Sequence, residues 1–352
     1  MTQPTFTFGV ISDVQYSDCD DGTDKQGKMV RHFRGSLDVL SRAVDFFNTF
    51  PVPLAFVAQL GDLIDGRNAP DQSEAALARV LALVQRSTVP FMHLVGNHEL
   101  YNFDREALAA KLGTRPAGRP VEFYATAPAA GWRMIVLDAF QEAVIGHPPG
   151  EPRRDKAVAF LRAKRLECGR PADADPDDWF AGLSGEQRRF NPYNGAFGSR
   201  QLQWLHSQLT SAAEAGDRAI LLSHTVLHAK ACHGTTMAWD YPECLEIIAA
   251  HAGVVAAVLC GHDHRGGYHY DEASNVHHIT VASPLNEGAA GSAFGVVIVH
   301  DDRLEVHSPA LESVIKAADL DKMRAAGGRC SDANLNAIAL PLVKLVRPQP
   351  VC

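Results

Sequence analysis

Leu54-Ala-Phe-Val-Ala-Gln-Leu60, followed by Gly61-Asp62-Leu63-Ile64-Asp65-Gly66, is the stretch that decides the fold. The first seven residues form a nearly unbroken apolar run of strand length, the pattern of a strand buried on both faces of a parallel sheet. Such strands deliver functional groups at their carboxyl ends, where open α/β sheets bind ligands. Gly61 allows an abrupt turn and a close backbone approach. Asp62 then stands at the mouth of the sheet as a hard oxygen donor.

The same arrangement recurs on both sides. The run Phe6–Ile11 reads as a strand that ends in Ser12-Asp13-Val14-Gln15-Tyr16. Asp13 and Gln15 are two apart, so in extended chain they share a side. Phe91–Val95 is a third strand, ending in Gly96-Asn97-His98-Glu99. Helices are expected between them, from the stripes Leu37, Leu40, Val44, Phe47 and Leu77, Val80, Leu81, Val84, with Asp71 and Glu74 as a capping pair for the second. Further on, Ala219–Ser223 runs directly into His224, and Val254–Cys260 into Gly261-His262-Asp263-His264. Helices marked by Leu202, Leu205, Leu209 and by Leu245, Ile248, Ala249 precede these two strand ends. Three β-rich segments follow, at 276–281, 294–300 and 303–307.

Residues 113–198 are less regular. They are expected to hold strands at 121–125 and 133–137, one helical stretch at 156–166, a Ser184/Gln187 capping box, and otherwise cap or loop. Residues 1–316 read as one domain, and 317–352 as an extension packed on the body or partly mobile.

Composition bounds the function. The chain has 352 residues and a formal net charge of −8, which argues against binding a nucleic-acid polymer. Its 7 cysteines are odd in number and lack a Cys-x-x-Cys pair, which points to reduced thiols and a cytoplasmic protein. No apolar run has membrane-spanning length, so no membrane partner is expected.

Five strand ends thus carry Asp13 and Gln15, Asp62 and Asp65, Asn97 and His98, His224, and His262 and His264. Oxygen and imidazole donors in that number suit a centre of two divalent ions, and one carboxylate can bridge a pair. In order, Asp-x-Gln, Gly-Asp-x-x-Asp, Gly-Asn-His-Glu, a lone His and Gly-His-x-His resemble the signature of the calcineurin-like metallophosphoesterases. The resemblance implies an α/β fold, a four-layer α/β/β/α sandwich of two mixed sheets flanked by helices. It implies one metal on Asp13, Gln15, Asp62 and His264, and another on Asp62, Asn97, His224 and His262, with Asp62 as the bridge. Two such ions activate a shared water and clamp phosphoryl oxygens. His98, beside Asn97, is placed to act as general acid on the leaving oxygen. Asp65 is expected to hold the other nitrogen of that imidazole, a pairing usual in the family.

Gln15 stands where many relatives have histidine. A neutral amide oxygen is a harder donor than imidazole, which favours Mn²⁺ or Mg²⁺ over softer ions such as Zn²⁺, with Fe also compatible. The same substitution marks the manganese-dependent ADP-ribose/CDP-alcohol diphosphatases. Phe8–Tyr16, Gln59–Gly66, Gly96–Phe103, Asn194–Phe197, Ala238–Tyr241 and Gly261–Tyr268 are all similar to that family. The likeness implies cleavage of the phosphoanhydride in nucleoside-diphosphate-linked small molecules. Tyr16, Arg31, Phe33, Tyr101, Phe103, Asn194 and Trp239 are the expected substrate contacts. The family's arginine- and aromatic-rich loop is thinned here by Thr23, Lys25, Gly27, Met29 and Val30. A cyclic-nucleotide or general phosphodiesterase is the alternative on the same scaffold. A non-catalytic scaffold is disfavoured, because no ligand position is lost.

Overall fold

Two mixed sheets stack face to face in the computed structural model, which describes residues 3–24, 27–113, 123–171, 174–175, 178–308, 329–330 and 337–342. In spatial order the first sheet runs Arg329–Cys330, Ala337–Pro341, Arg303–His307, Phe294–Val299, Phe6–Ile11, Phe56–Gln59 and Phe91–His93. The second runs Gly267–Asp271, Val276–Thr280, Val255–Cys260, Arg218–Ser223, Trp132–Val136 and Tyr124–Ala129. The parallel members are the ones that matter for the site. Phe6–Ile11, Phe56–Gln59 and Phe91–His93 run together, and so do Trp132–Val136, Arg218–Ser223 and Val255–Cys260.

Alternation within each strand builds the layers. Phe6, Phe8 and Val10, with Phe56 and Ala58, meet Met134, Val136, Ile220, Leu222, Ala257 and Leu259 in one buried cluster between the sheets. The intervening residues, Ile11, Val57, Ile135, Ala219, Leu221 and Val258, face outward onto helices. Helix Gly35–Thr49 covers the first sheet with Val39, Leu40, Val44 and Phe47. Helix Gly198–Ala215 covers the second with Leu205, Leu209 and Ala212. The four-layer α/β sandwich expected from the sequence is therefore the observed architecture.

Several boundaries differ. Helix Ser73–Val84 is entered through Gln72, not Asp71. The helix expected at 156–166 runs Pro152–Glu167, because Pro152 opens it and few of its residues face a core. The third strand, expected over Phe91–Val95, is Phe91–His93, and Gly96-Asn97-His98-Glu99 after it opens a short helix, Asn97–Asn102, with Arg105–Leu112 following as another. Residues 121–122 and most of 317–352 lie outside the described residues. Among the described residues no helix is long and apolar enough to cross a membrane.

Histidines outside the donor set put an acid limit on stability. The His228 ring lies 4.4 Å from that of His269 and 4.7 Å from that of His278, and buried His278 has neither ring nitrogen bonded. Burial lowers His278 well below the ordinary range and His93 to about 4; burial, with His269 beside it, lowers His228 to about 4. The unfolded chain therefore binds more protons than the folded one from roughly pH 6.5 downward. Stability is complete above that pH and is lost as pH falls toward 4. Thermal denaturation across pH 4–8 should show this decline, and His278→Phe should flatten it without lowering Tm at pH 8. An unchanged slope would mean that this cluster does not titrate on unfolding.

Candidate metal centre

The backbone at the strand ends is bent to bring donors inward. Five non-glycine residues among those described have φ in the left-handed region, and four are Asp13, Gln15, Asp62 and His262. That conformation costs about 1–3 kcal/mol per residue and persists only where the surroundings over-determine it. Here they do. Asp13 N–H donates to Gly61 C=O at 3.0 Å and Gln15 N–H to Asp62 C=O at 2.9 Å, locking the first two strand ends together.

Two donor sets share one carboxylate oxygen. Asp62 Oδ2 lies 2.9 Å from Gln15 Nε2, which is 2.9 Å from His264 Nε2; His264 Nε2 is 3.6 Å from Asp13 Oδ1. On the other side Asp62 Oδ2 is 3.4 Å from His224 Nε2, which is 3.1 Å from Asn97 Oδ1 and 3.2 Å from His262 Nδ1. Asp62 Oδ1 is spent on the His98 N–H at 2.8 Å. Donor atoms of Asp13, Asp62, His224 and His262 all lie within 4.8 Å of one another, and all four residues are buried.

Neighbours set the imidazole tautomers. His224 Nδ1 donates to Leu60 C=O at 2.8 Å, leaving Nε2 as the inward lone pair. His262 Nε2 meets Asn194 Oδ1 at 2.7 Å, leaving Nδ1 inward. His264 Nδ1 meets Asn286 Oδ1 at 3.2 Å, leaving Nε2. These outer contacts orient ring lone pairs as metal-binding histidines require.

The donor set fits divalent cations. Asp13 Oδ1 and Gln15 Oε1 are buried without a hydrogen-bond partner. Such orphans are costly unless something positive meets them. The Gln15 amide hydrogens sit between Asp62 and His264, where a cation would lie; turning the amide over brings the orphaned Oε1 to that place. The electrostatics agree. Burial raises the Asp13 carboxyl, and nearby Asp62 adds to the rise. Burial also opposes the Asp62 charge, but the imidazoles of His224, His98 and His262 overcome it and hold that carboxyl far below its usual range. His224, which burial alone would lower, is raised to about 9 by Asp62.

Glu99, to which no role was given from sequence, ties the motifs together. Its buried carboxylate accepts N–H bonds from Asp62 at 2.7 Å, Gly96 at 2.8 Å and Leu63. Burial, then Asp62, raises this carboxyl to about 7. Packing is so close that a Cβ on Gly96 would collide with Asp62 Oδ1. Gly96→Ala is thus expected to strip most of the bound metal and activity, while circular dichroism retains the folded spectrum. A variant that keeps two ions per chain would show that the contact relaxes freely.

His98 and Asp65 are adjacent, but not as expected. Nδ1 of His98 receives the Gly66 N–H at 2.8 Å; Asp65 Oδ2 stands 3.3 Å from it and makes no hydrogen bond. Asp65 Oδ1 instead accepts from Arg67 N–H at 2.8 Å.

The expected substrate contacts divide. Asn194 is at the centre, on His262. Tyr101 is 40 % exposed, its hydroxyl 3.3 Å from Asn97 Nδ2 and its ring 5.3 Å from that of His98. Arg31 neighbours His264, with a buried, unpartnered Nε. Three others must be corrected. Tyr16 is buried with its hydroxyl taken by Arg79. Phe33 is fully buried under the Arg67 guanidinium. Trp239 is buried against Phe160, its indole N–H on Asn191 C=O, and lines a separate cavity of about 310 Å³ with Phe190 and Arg189. Phe103 is half-buried beneath Lys111. Tyr193, its ring 5.8 Å from that of His262, flanks the donors as Tyr101 does.

Comparison with known proteins agrees with this geometry. Residues 6–266 match the calcineurin-like phosphoesterase family model. A manganese-dependent ADP-ribose/CDP-alcohol diphosphatase from Arabidopsis thaliana is 34% identical over 304 residues, 86% of this chain and 94% of that protein. The protein of the same name from Homo sapiens is 34% identical over 315 residues, 85% of this chain and 88% of that one. The crystal structure of a dimetal phosphatase from Danio rerio superposes with a TM-score of 0.77 at 31% identity, covering 87% of this chain and 96% of that chain. The chain belongs to the calcineurin-like phosphoesterases, and within them to the family of the manganese-dependent ADP-ribose/CDP-alcohol diphosphatases.

Proposed function

We propose that this protein is a dinuclear-metal hydrolase that cleaves the phosphoanhydride of nucleoside-diphosphate-linked small molecules, with ADP-ribose and CDP-alcohols as the substrate class and Mn²⁺ as the metal. The position of Asp62 Oδ2 between two donor sets carries the reading. The names of the relatives support the substrate class and the metal.

Asp13, Gln15, Asp62 and His264 would hold one ion, and Asp62, Asn97, His224 and His262 the other. Bound ions would supply Lewis acidity and a nucleophilic water at neutral pH. The remaining work belongs to the protein. Arg31 offers its guanidinium to a phosphoryl oxygen beside His264. Tyr101 and Tyr193 wall the donors and limit water. His98 offers its Nε2–H to the leaving oxygen, and Asp65 Oδ2 stands 3.3 Å from Nδ1 of the same ring. Residues 1–316 form the hydrolase domain, and 317–352 an extension whose strands Arg329–Cys330 and Ala337–Pro341 join the first sheet. Five free cysteines among the described residues support a reducing, cytoplasmic setting.

A substrate panel with added Mn²⁺ tests this. ADP-ribose and CDP-choline should be preferred, each releasing a nucleoside monophosphate. Preference for 2′,3′-cyclic AMP or bis-p-nitrophenyl phosphate would favour the phosphodiesterase reading.

A further inference from the structure

Asp263 stands between His262 and His264, yet its carboxylate bonds outward. It accepts the His233 N–H at 2.7 Å, the Arg265 N–H at 3.3 Å and the Thr236 hydroxyl at 3.3 Å, and both its oxygens lie 3.2–3.3 Å from His233 Nδ1. Asp263 is buried, whereas the His233 side chain is 51% exposed. A buried carboxylate thus grips an exposed imidazole at one nitrogen, and the other nitrogen points into the open. That is the orienting arrangement by which proteins fix a tautomer for use.

The loop that carries His233 is part of the wall beside His262. Thr235 C=O accepts the side-chain amides of Asn191 at 3.0 Å and Asn194 at 2.7 Å, and Asn194 holds His262. Tyr193 stands on the same wall, its ring edge-on to that of His262 at 5.8 Å. His233 stands two residues before Thr235 on this loop, and so belongs to the wall that a ligand extending past His262 would follow.

We propose that His233 is a specificity-determining residue that accepts a hydrogen bond from a sugar hydroxyl of the substrate, with Asp263 as its positioning residue; this rests on the function proposed above. With Nδ1–H donated to Asp263, the neutral ring presents Nε2 as a lone pair, which suits a hydroxyl donor. The Asp263 carboxylate disfavours a phosphoryl group at the same spot, and phosphoryl oxygens already have Arg31. A site built to bond a hydroxyl discriminates strongly against ligands that lack it.

Kinetics of wild type, His233→Ala, His233→Gln and Asp263→Asn on CDP-choline, ADP-ribose and the sugarless bis-p-nitrophenyl phosphate test the assignment. His233→Ala keeps the backbone N–H and the Thr236 bond on Asp263, so metal content and Tm stay at wild-type values. KM for the sugar-bearing substrates should rise about tenfold relative to that for the ester, with kcat little changed. His233→Gln, which retains an acceptor, should recover part of the loss, and Asp263→Asn should move KM in the same direction. An unchanged KM in His233→Ala, or an equal loss on the ester, would overturn the proposal. Wild-type protein inert toward both nucleotides would instead overturn the parent function, a distinct result.

Discussion

Asp62→Asn is expected to abolish hydrolysis, by about 10³-fold or more, and to reduce bound metal from two ions per chain toward one or none. The substitution is isosteric, so the effect comes from charge and from the chemistry of one atom. Oδ2 faces Gln15 and His224 at once, while Oδ1 is fixed by the His98 N–H. An amide cannot serve both. If its nitrogen takes the Oδ2 place, a donor faces two cations; if it takes the Oδ1 place, two N–H groups oppose each other and the oxygen left inside is neutral. Either way the group that brings two positive centres together has lost its negative charge, and with it the site's main defence against their repulsion. Metal analysis beside kcat separates this from misfolding, because the buried fold contacts of Leu63 and Gly61 are untouched. Unchanged turnover with two ions bound would remove Asp62 from the bridging role.

Sequence and structure agree where chemistry follows directly from strand geometry. Asp13, Asp62, Asn97, His224 and His262 were legible because parallel strands end on one side of a sheet, and each donor follows an apolar run within a few residues. What spacing does not reveal is which way a large side chain turns after such an end. Tyr16 follows Gln15 directly, and one residue's change of direction carries its ring into the core and its hydroxyl to Arg79. Phe33 and Trp239 are buried for the same reason: near a site in sequence, an aromatic is drawn to the larger apolar area beneath it. Strand Gly267–Asp271 has no apolar run to mark it, because Tyr268, His269 and Tyr270 look polar, although all three are buried. Glu99 is legible as a letter but not as a clamp, since two of its three partners, Leu63 and Asp62, lie 36 and 37 residues away. The left-handed backbone of Asp13, Gln15, Asp62 and His262 has no sequence signal; glycine is the usual marker, and here tertiary contacts impose that conformation on other residues.

His98→Ala should keep both ions and lower kcat by about 10²–10⁴, the range for loss of a general acid. The hydrogen bonding assigns the proton. Nδ1 accepts the Gly66 N–H at 2.8 Å, so a neutral ring carries its hydrogen on Nε2, the nitrogen free to reach a leaving oxygen. The ring is 16 % exposed, open enough to meet a ligand. The contact by which this residue supports the donors comes from its backbone, through N–H to Asp62 Oδ1, and alanine preserves it. The two functions of the residue therefore separate cleanly. The loss should depend on the leaving group: large for the phosphoanhydride of ADP-ribose, and small for a nitrophenyl ester whose phenolate departs without a proton. Equal losses on both would point to a binding role for the imidazole, and loss of metal in the variant would make the ring itself a structural support of the centre.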